Sequence, residues 1–490
     1  MRIFRSAILL TVVNLLLRFT GTSFQVYLSS RIGAAGIGLL QLTMSVGNLA
    51  LVAGMGGIRT ATMYLTAGEL GRKHPQNVTW VLSGCFAYSI LFSGAMAFLL
   101  YCYAPWIAEN WIGDLRVVHS LRLFAAFLPC SCLCGVMTGY FTAANQIRTL
   151  AAVEVAEQLA SMGLTLTALT FWGGEDAGRA CLCVVLGSGM GACLTLCCLI
   201  LLRFREKPRA GPRIPVSRDI SRTALPLAVA DDLRTGISTA ENLMVPKRLA
   251  RNAAVKNPLA SFGLLSGMVF PVLMFPACIL FGLAELLIPE LARCHAAGSK
   301  KRIRYLTRRC LKVALLYGIF FSGLMFLLSD VLCLTLYHSV EAGKSLKLYA
   351  LLIPMLYCDA ITDAMIKGLG QQTVSVRYNI ITNILDVLLL YVLLPVHGME
   401  GYFFSFLATH LLNFTLSLRR LLKITEERIP FHIPALALAA GIGSVWAVSF
   451  LSAPGLQALA FPAVLVCQLY LMQIIQGEDL IWLQGLIKKK

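Results

Sequence analysis

The feature that most limits how this chain can fold is a succession of apolar runs with very little polar sequence between them. About 20 apolar residues cross a bilayer as a helix. Runs of that kind cover residues 4–30, 36–66, 78–102, 120–143, 150–172, 178–203, 219–242, 261–289, 307–330, 345–367, 374–395, 399–423, 431–452 and 457–476. Together they nearly exhaust the 490 residues. Apolar residues make up 58% of the chain and charged ones 13%, against roughly 45–50% and about 25% in soluble proteins. A water-soluble multidomain enzyme is excluded. The expected fold is all-α and integral to the membrane, with about 14 transmembrane helices.

The formal charge of +18 would suggest nucleic acid in a soluble protein; here it is read as loop charge that sets topology. With the N-terminus placed inside, the loops on that side hold 28 Lys and Arg, the opposite loops 9, and the spans 5. The termini are therefore expected to be cytoplasmic. One stretch runs against the bias: Lys247, Arg248, Arg251 and Lys256 fall on the outer side. The clusters Arg203–Arg209 and Lys300–Arg309 act first as topology determinants, with anionic lipid headgroups as secondary partners.

The chain is duplicated. Ser120-Leu-Arg-Leu-Phe-Ala-Ala-Phe-Leu-Pro129 matches Ser345-Leu-Lys-Leu-Tyr-Ala-Leu-Leu-Ile-Pro354 at an offset of 225. The same offset, without a gap, pairs Gly38 with Gly263, Gln146 with Gln371 and Gly173 with Gly398. An even number of spans per copy inserts both in one orientation, which is transporter architecture with a site expected between the copies. The expected organisation is an N-lobe over 1–203, a basic cytoplasmic linker over 204–218 and a C-lobe over 219–423. Two additional helices and a basic tail follow over 424–490. The two parallel six-helix lobes are expected to surround a central cavity.

Charges inside the spans point to that cavity. A charge facing lipid near the bilayer centre costs roughly 2.5–3.5 kcal/mol. Eleven of them (three Arg, eight Asp or Glu) would cost on the order of 30 kcal/mol, beyond the ~5–15 kcal/mol stability of a typical fold. They must face each other or water. Thr11, Asn14, Arg18, Thr22 and Gln25 recur at helical spacing as one stripe. So do Asp231, Arg234, Ser238 and Glu241; Asp359, Asp363 and Lys367; Asn379, Asn383 and Asp386; and Glu154, Glu157, Gln158 and Ser161. Guanidinium groups suit a diphosphate, which they pair bidentately and with permanent charge. Arg18, Arg59 and Arg234, with Asn14 and Gln25, are the candidate substrate-binding residues. Carboxylates suit a coupling proton or sodium ion, or a cationic drug; Glu154, Asp231, Asp359, Asp363 and Asp386 are candidates for coupling or gating. Asp231–Arg234 and Asp363–Lys367 also have the spacing of simple intrahelical ion pairs.

No Walker A motif is present, the sixteen cysteines lie mostly in apolar runs, and no His or Cys spacing suits a metal. No catalytic residue, metal or organic cofactor is expected.

Leu17-Arg18-Phe-Thr-Gly21, the Gly33-Ala-Ala-Gly36-Ile-Gly-Leu-Leu40 turn, the Arg122…Pro129…Gly139-Tyr140-Phe141…Asn145-Gln146 helix and its repeat at 345–371 resemble a known family. It is the multidrug/oligosaccharidyl-lipid/polysaccharide (MOP) exporter superfamily, in its polysaccharide-biosynthesis branch with stage V sporulation protein B and the lipid II flippases. The resemblance covers essentially the whole chain. It implies alternating access and a polyprenyl-diphosphate-linked oligosaccharide or peptidoglycan precursor as cargo, with Arg18 in the place of the family's first-helix arginine. A second basic residue typical of lipid II flippases is absent, Phe24 and Gln25 standing there. Expected partners are the lipid-linked sugar, membrane lipids and cell-envelope glycosyltransferases, and no nucleic acid. The rival expectation is a cation-coupled multidrug exporter; a non-transporting scaffold for wall enzymes is a third.

Overall fold

A computed structural model describes residues 2–72, 75–173, 176–205, 217–427, 430, 432–451 and 453–474, with the side chains of 2–15, 71, 75, 147, 173, 217–219, 226, 227, 230 and 286 outside the description. The described residues form helices and turns with no strand. In order, the first helices are α1 (Arg2–Met55), α2 (Ile58–Gly71), α3 (Val78–Ile107), α4 (Val118–Ala143), α5 (Ile147–Ala168), α6 (Ala177–Arg205), α7 (Ser217–Leu249) and α8 (Pro258–Leu264). There follow α9 (Phe270–Met274), α10 (Ala277–Ala296), α11 (Lys300–Tyr337), α12 (Val340–Ala350), α13 (Ile353–Gly368), α14 (Gln372–Thr425), α15 (His432–Ser449) and α16 (Pro454–Leu471).

Glycine and proline divide these helices into spans. Gly33 (φ 67°, ψ 179°) breaks α1, and Gly398 (φ 55°, ψ −129°) breaks α14; both conformations are open to glycine and strained for residues with a Cβ. Leu16–Leu70 and Gln372–Thr425 contain 55 and 54 residues. At 1.5 Å per residue each is about 80 Å long, enough for two crossings of a ~30 Å core. Among the described residues eight helices are long and apolar enough to span, or ten if each bent pair is one span. Splitting the two long helices at their glycines raises ten to twelve, and α5 and α7, long enough but outside that count, make fourteen consistent. The tenth expected span, 345–367, is not one straight helix: α12 and α13 meet at a 57° bend, with Pro354 in the first turn of α13. Pro271 and Pro276 interrupt the eighth in the same way, since proline removes a ladder donor.

The duplication is written in the backbone. Asn145 (φ 58°) and Gly370 (φ 75°) are left-handed, as are Gly113 (φ 84°) and His338 (φ 52°); both pairs are 225 residues apart. Helix ends follow the same offset, Ala143 with Gly368, and so do the next starts, Ile147 with Gln372. Even the caps repeat: the Asp114 side chain accepts from Arg116 N, and the Ser339 side chain from Ala342 N.

The chain packs as two compact units. The first comprises 1–267 with 387–399, the second 268–386 with 400–490. In the first, α2, α3, α4, α6 and the start of α7 share a core that includes Ile58, Val81, Met137, Phe141, Leu199 and Ile220. Small residues allow close helix approach there: a Cβ on Gly187 would stand 2.0 Å from Thr165 Oγ1. In the second, α11 packs on α15 and α16 through Ile319, Ala440, Phe461 and Leu465, with Gly323 directly under the Phe461 ring.

Candidate functional site

In the first unit the paired glycines after Met55 place Arg59. Gly56 (φ 50°) and Gly57 (φ 69°) end α1, and α2 starts one residue before Arg59. Gly139 of α4 lies against the Arg59 carbonyl, 2.4 Å from where a Cβ would stand, and fixes that turn. The Arg59 side chain is exposed and within electrostatic reach of half-buried Glu154 on α5. Two residues singled out from different spans are thereby brought together.

Arg18 is exposed on the first segment of α1. One turn on, Gly21 faces the Gln158 amide of α5, so the polar stripes of these helices are neighbours. Gln25 donates from Nε2 to the Gly267 carbonyl at 3.0 Å. Gly267 lies in a π-turn over Leu265–Val269, where the widened helix leaves a carbonyl for that amide. The side chain of Asn14 lies outside the described residues. Asp231 and Arg234 are both exposed on α7, and no ion pair joins them among the described residues. The next residue, Asp232, is half-buried, and its Oδ1 has no hydrogen-bond partner among the described residues.

The second unit holds the other carboxylates in three separate settings. Asp363 pairs with Lys367 at 2.6 Å and accepts from Ser375 Oγ; here the intrahelical ion pair does form. Asp359 accepts from Asn413 Nδ2 at 3.0 Å through Oδ2, whereas its buried Oδ1 has no partner among the described residues. Asp386 is 8% exposed, with Ser405 Oγ 2.6 Å and Thr409 Oγ1 3.2 Å from Oδ1.

Those partners were missed when charges alone were followed. Ser405, Thr409, Asn413 and Ser417 recur every four residues and are all buried, forming one polar face of α14 inside an apolar span. That spacing was a legible signal. Among the described residues no cluster of His, Cys, Asp and Glu suits a metal ion, and no disulfide joins the cysteines.

Comparison with known proteins agrees with this geometry. The MatE family model matches residues 254–392, the stretch that carries Asp359, Asp363 and Asp386. The chain is 22% identical over 400 residues to "Stage V sporulation protein B" of Bacillus subtilis (strain 168), covering 79% of this chain and 77% of that protein. Its fold is similar to that of lipid II flippase MurJ in an inward closed conformation, with a TM-score of 0.75 at 13% identity over 97% of this chain and 100% of that one. It is also similar to an inward-facing multidrug resistance MATE family transporter, with a TM-score of 0.68 at 11% identity over 90% and 100%. Helices of membrane length with charges held inside them define a multi-pass membrane protein, and its fold is that of the lipid II flippase and multidrug transporter structures. By these matches the chain is similar to proteins of the MOP exporter superfamily.

Proposed function

We propose that this protein is a flippase for a polyprenyl-diphosphate-linked oligosaccharide or peptidoglycan precursor, working by alternating access in a bacterial plasma membrane with both termini cytoplasmic. The observation that carries the reading is the state of the arginines. Arg59 and Arg234 are exposed within membrane-length sequence, and neither closes an ion pair among the described residues. Glu154 reaches Arg59 only through space, without a contact pair, and a guanidinium so placed at membrane depth is costly unless a ligand answers it. A diphosphate does so with charge-assisted, bidentate bonds. Arg18, Arg59 and Arg234 would hold it, with Asn14 and Gln25 beside them. Similarity to Stage V sporulation protein B and to the lipid II flippase fold supports a lipid-linked cargo.

Coupling falls to the carboxylates. The unpartnered Asp359 Oδ1 is an atom that a proton or a sodium ion would satisfy. Asp386, with its two hydroxyls, is the second candidate, and Glu154, Asp231 and Asp363 act as gates. The same carboxylates favour a second reading, a cation-coupled multidrug exporter, because the MatE match falls on the stretch that carries three of them.

Reconstitution into vesicles separates the two. A labelled polyprenyl-diphosphate sugar should cross the bilayer at a rate that Arg18→Ala lowers. No flipping, together with dye efflux that depends on Asp359, would replace the flippase with the drug exporter.

A further inference from the structure

At the end of α7 the first unit contains a cavity of about 470 Å³ that no step of the proposed transport uses. Lys247, Arg248 and Arg251 stand around it over an apolar floor that includes Leu49, Leu243 and Trp111, and no carboxylate lines it. Lys247 Nζ donates to the Asn110 carbonyl. The Arg248 guanidinium lies 3.2 Å from the centre of the Tyr391 ring, which fixes it by cation–π stacking and leaves its edge donors free. None of the three basic residues closes an ion pair among the described residues. Three uncompensated cations around one hollow repel each other unless an anion is present.

The cavity is separate from the Arg–Asp stripe of α7. Of its α7 lining residues, Gly236, Thr239, Ala240, Leu243 and Lys247 share one side of the helix at 100° per residue, while Met244 and Arg248 lie on its flank, Arg248 two turns beyond Glu241 and against the Tyr391 ring. Asp231, Arg234, Ser238 and Glu241 fall on the opposite side. The same basic segment is the one that breaks the charge bias expected from topology. Trp111 and Tyr391, large rings with a polar edge, are the residues that favour the membrane–water interface, where lipid headgroups lie.

We propose that this cavity binds the phosphate of a membrane amphiphile, with Lys247, Arg248 and Arg251 on the phosphate and the apolar floor under the first carbons of its chain. The shared chemistry is a phosphate mono- or diester on a lipid tail. A free inorganic anion would leave the apolar floor uncovered. The inference does not rest on the flippase reading, since a headgroup site of this kind serves a transporter of any cargo.

The test uses the full chain in neutral-detergent micelles. Binding of phosphatidylglycerol, undecaprenyl phosphate, phosphatidylcholine and inorganic phosphate is followed by native mass spectrometry and thermal shift. Phosphatidylglycerol or undecaprenyl phosphate should bind and stabilise. Lys247→Gln with Arg251→Gln should weaken that binding at least about tenfold with the lipid-free melting temperature unchanged. Tyr391→Leu, which keeps the floor apolar but removes the stacking, should weaken it less. If the double variant does not fold, Arg251→Gln alone, at an exposed position, carries the test and should still weaken binding several-fold. Inorganic phosphate binding as tightly as the lipids would overturn the amphiphile assignment. Lipid binding that every folded variant retains, or equal binding of phosphatidylcholine, would overturn the site.

Discussion

Gly38 and Gly263 occupy the same position in the two sequence repeats, and they pack against each other. A Cβ on Gly263 would stand 2.0 Å from the Ala34 carbonyl oxygen and 2.5 Å from Gly38 N; one on Gly38 would stand 2.4 Å from the Leu259 carbonyl oxygen. Where α1 crosses α8, each helix presents the other with the same small residue, as a local two-fold relation between the two segments requires. The atoms in the way are backbone, which cannot rotate aside. Gly263→Ala is therefore expected to destabilise the protein by about 1–3 kcal/mol through overpacking. Gly94→Ala in α3, where the added Cβ meets nothing within 4 Å, should stay within about 0.5 kcal/mol of the parent. Thermal unfolding in detergent measures both, and equal melting temperatures would remove the close-approach argument.

The arginines separate the two transport readings. Arg18→Ala, Arg59→Ala and Arg234→Ala should each lower flipping of a diphosphate-linked sugar by about tenfold or more, the loss expected for one charge-assisted contact. Arg59→Lys should recover only part of it, because an ammonium cannot make the bidentate pair. Flipping assays on vesicles with matched protein content provide the measurement. Variants that leave the flipping rate unchanged would show that the diphosphate is held elsewhere.

Much of the fold was legible in the sequence because a bilayer imposes a single length on every span and a fixed cost on every exposed charge. Apolar runs therefore marked the helices, and the left-handed turns at Asn145 and Gly370, which the structure reveals, obey the offset that aligned Pro129 with Pro354. The bend between α12 and α13 was less visible: the apolar pattern is continuous there, and Pro354 matches Pro129, which α4 carries without a break. Candidate charges were legible individually, but their partners were not. Asn413 lies 54 residues from Asp359, and a pairing across that separation depends on which helices become neighbours. The basic cavity was missed for the opposite reason. Its lysine and arginines were noticed, but as exceptions to a topology rule, and only the fold brings Trp111 and Tyr391 beside them.

Asp359 offers a test of coupling. Asp359→Asn preserves shape and the contact with Asn413 while removing the charge. Transport driven by an imposed proton or sodium gradient should fall by an order of magnitude or more, while exchange without a gradient continues. Asp363→Asn, which breaks the pair with Lys367, should have the smaller effect on gradient dependence, since that carboxylate is already balanced. Gradient-driven and exchange assays on the same vesicles give the comparison; an Asp359→Asn protein that still responds fully to the gradient would exclude this residue as the coupling group.

Glu426 predicts a pH dependence outside the membrane. It ends α14 in a left-handed conformation (φ 53°) and accepts hydrogen bonds from Lys300 at 2.9 Å and from Arg304, which also donates to the Thr425 carbonyl. The two cations hold its carboxyl below the usual carboxylate range. A pKa lower in the folded than in the unfolded state contributes stability above the unfolded value, about 4.3 for glutamate, and that contribution disappears as pH falls through the folded value. Glu426→Gln should therefore melt below the parent at pH 7, and the two should converge as the medium is taken below about pH 4. The gap at pH 7 should also narrow in high salt, because the group is fully solvated and its pairs are screened. Melting curves at neutral and acidic pH, each at low and high salt, decide it. A gap that persists unchanged in acid would mean that the side chain stabilises the start of α11 and the end of α14 by packing, not by charge.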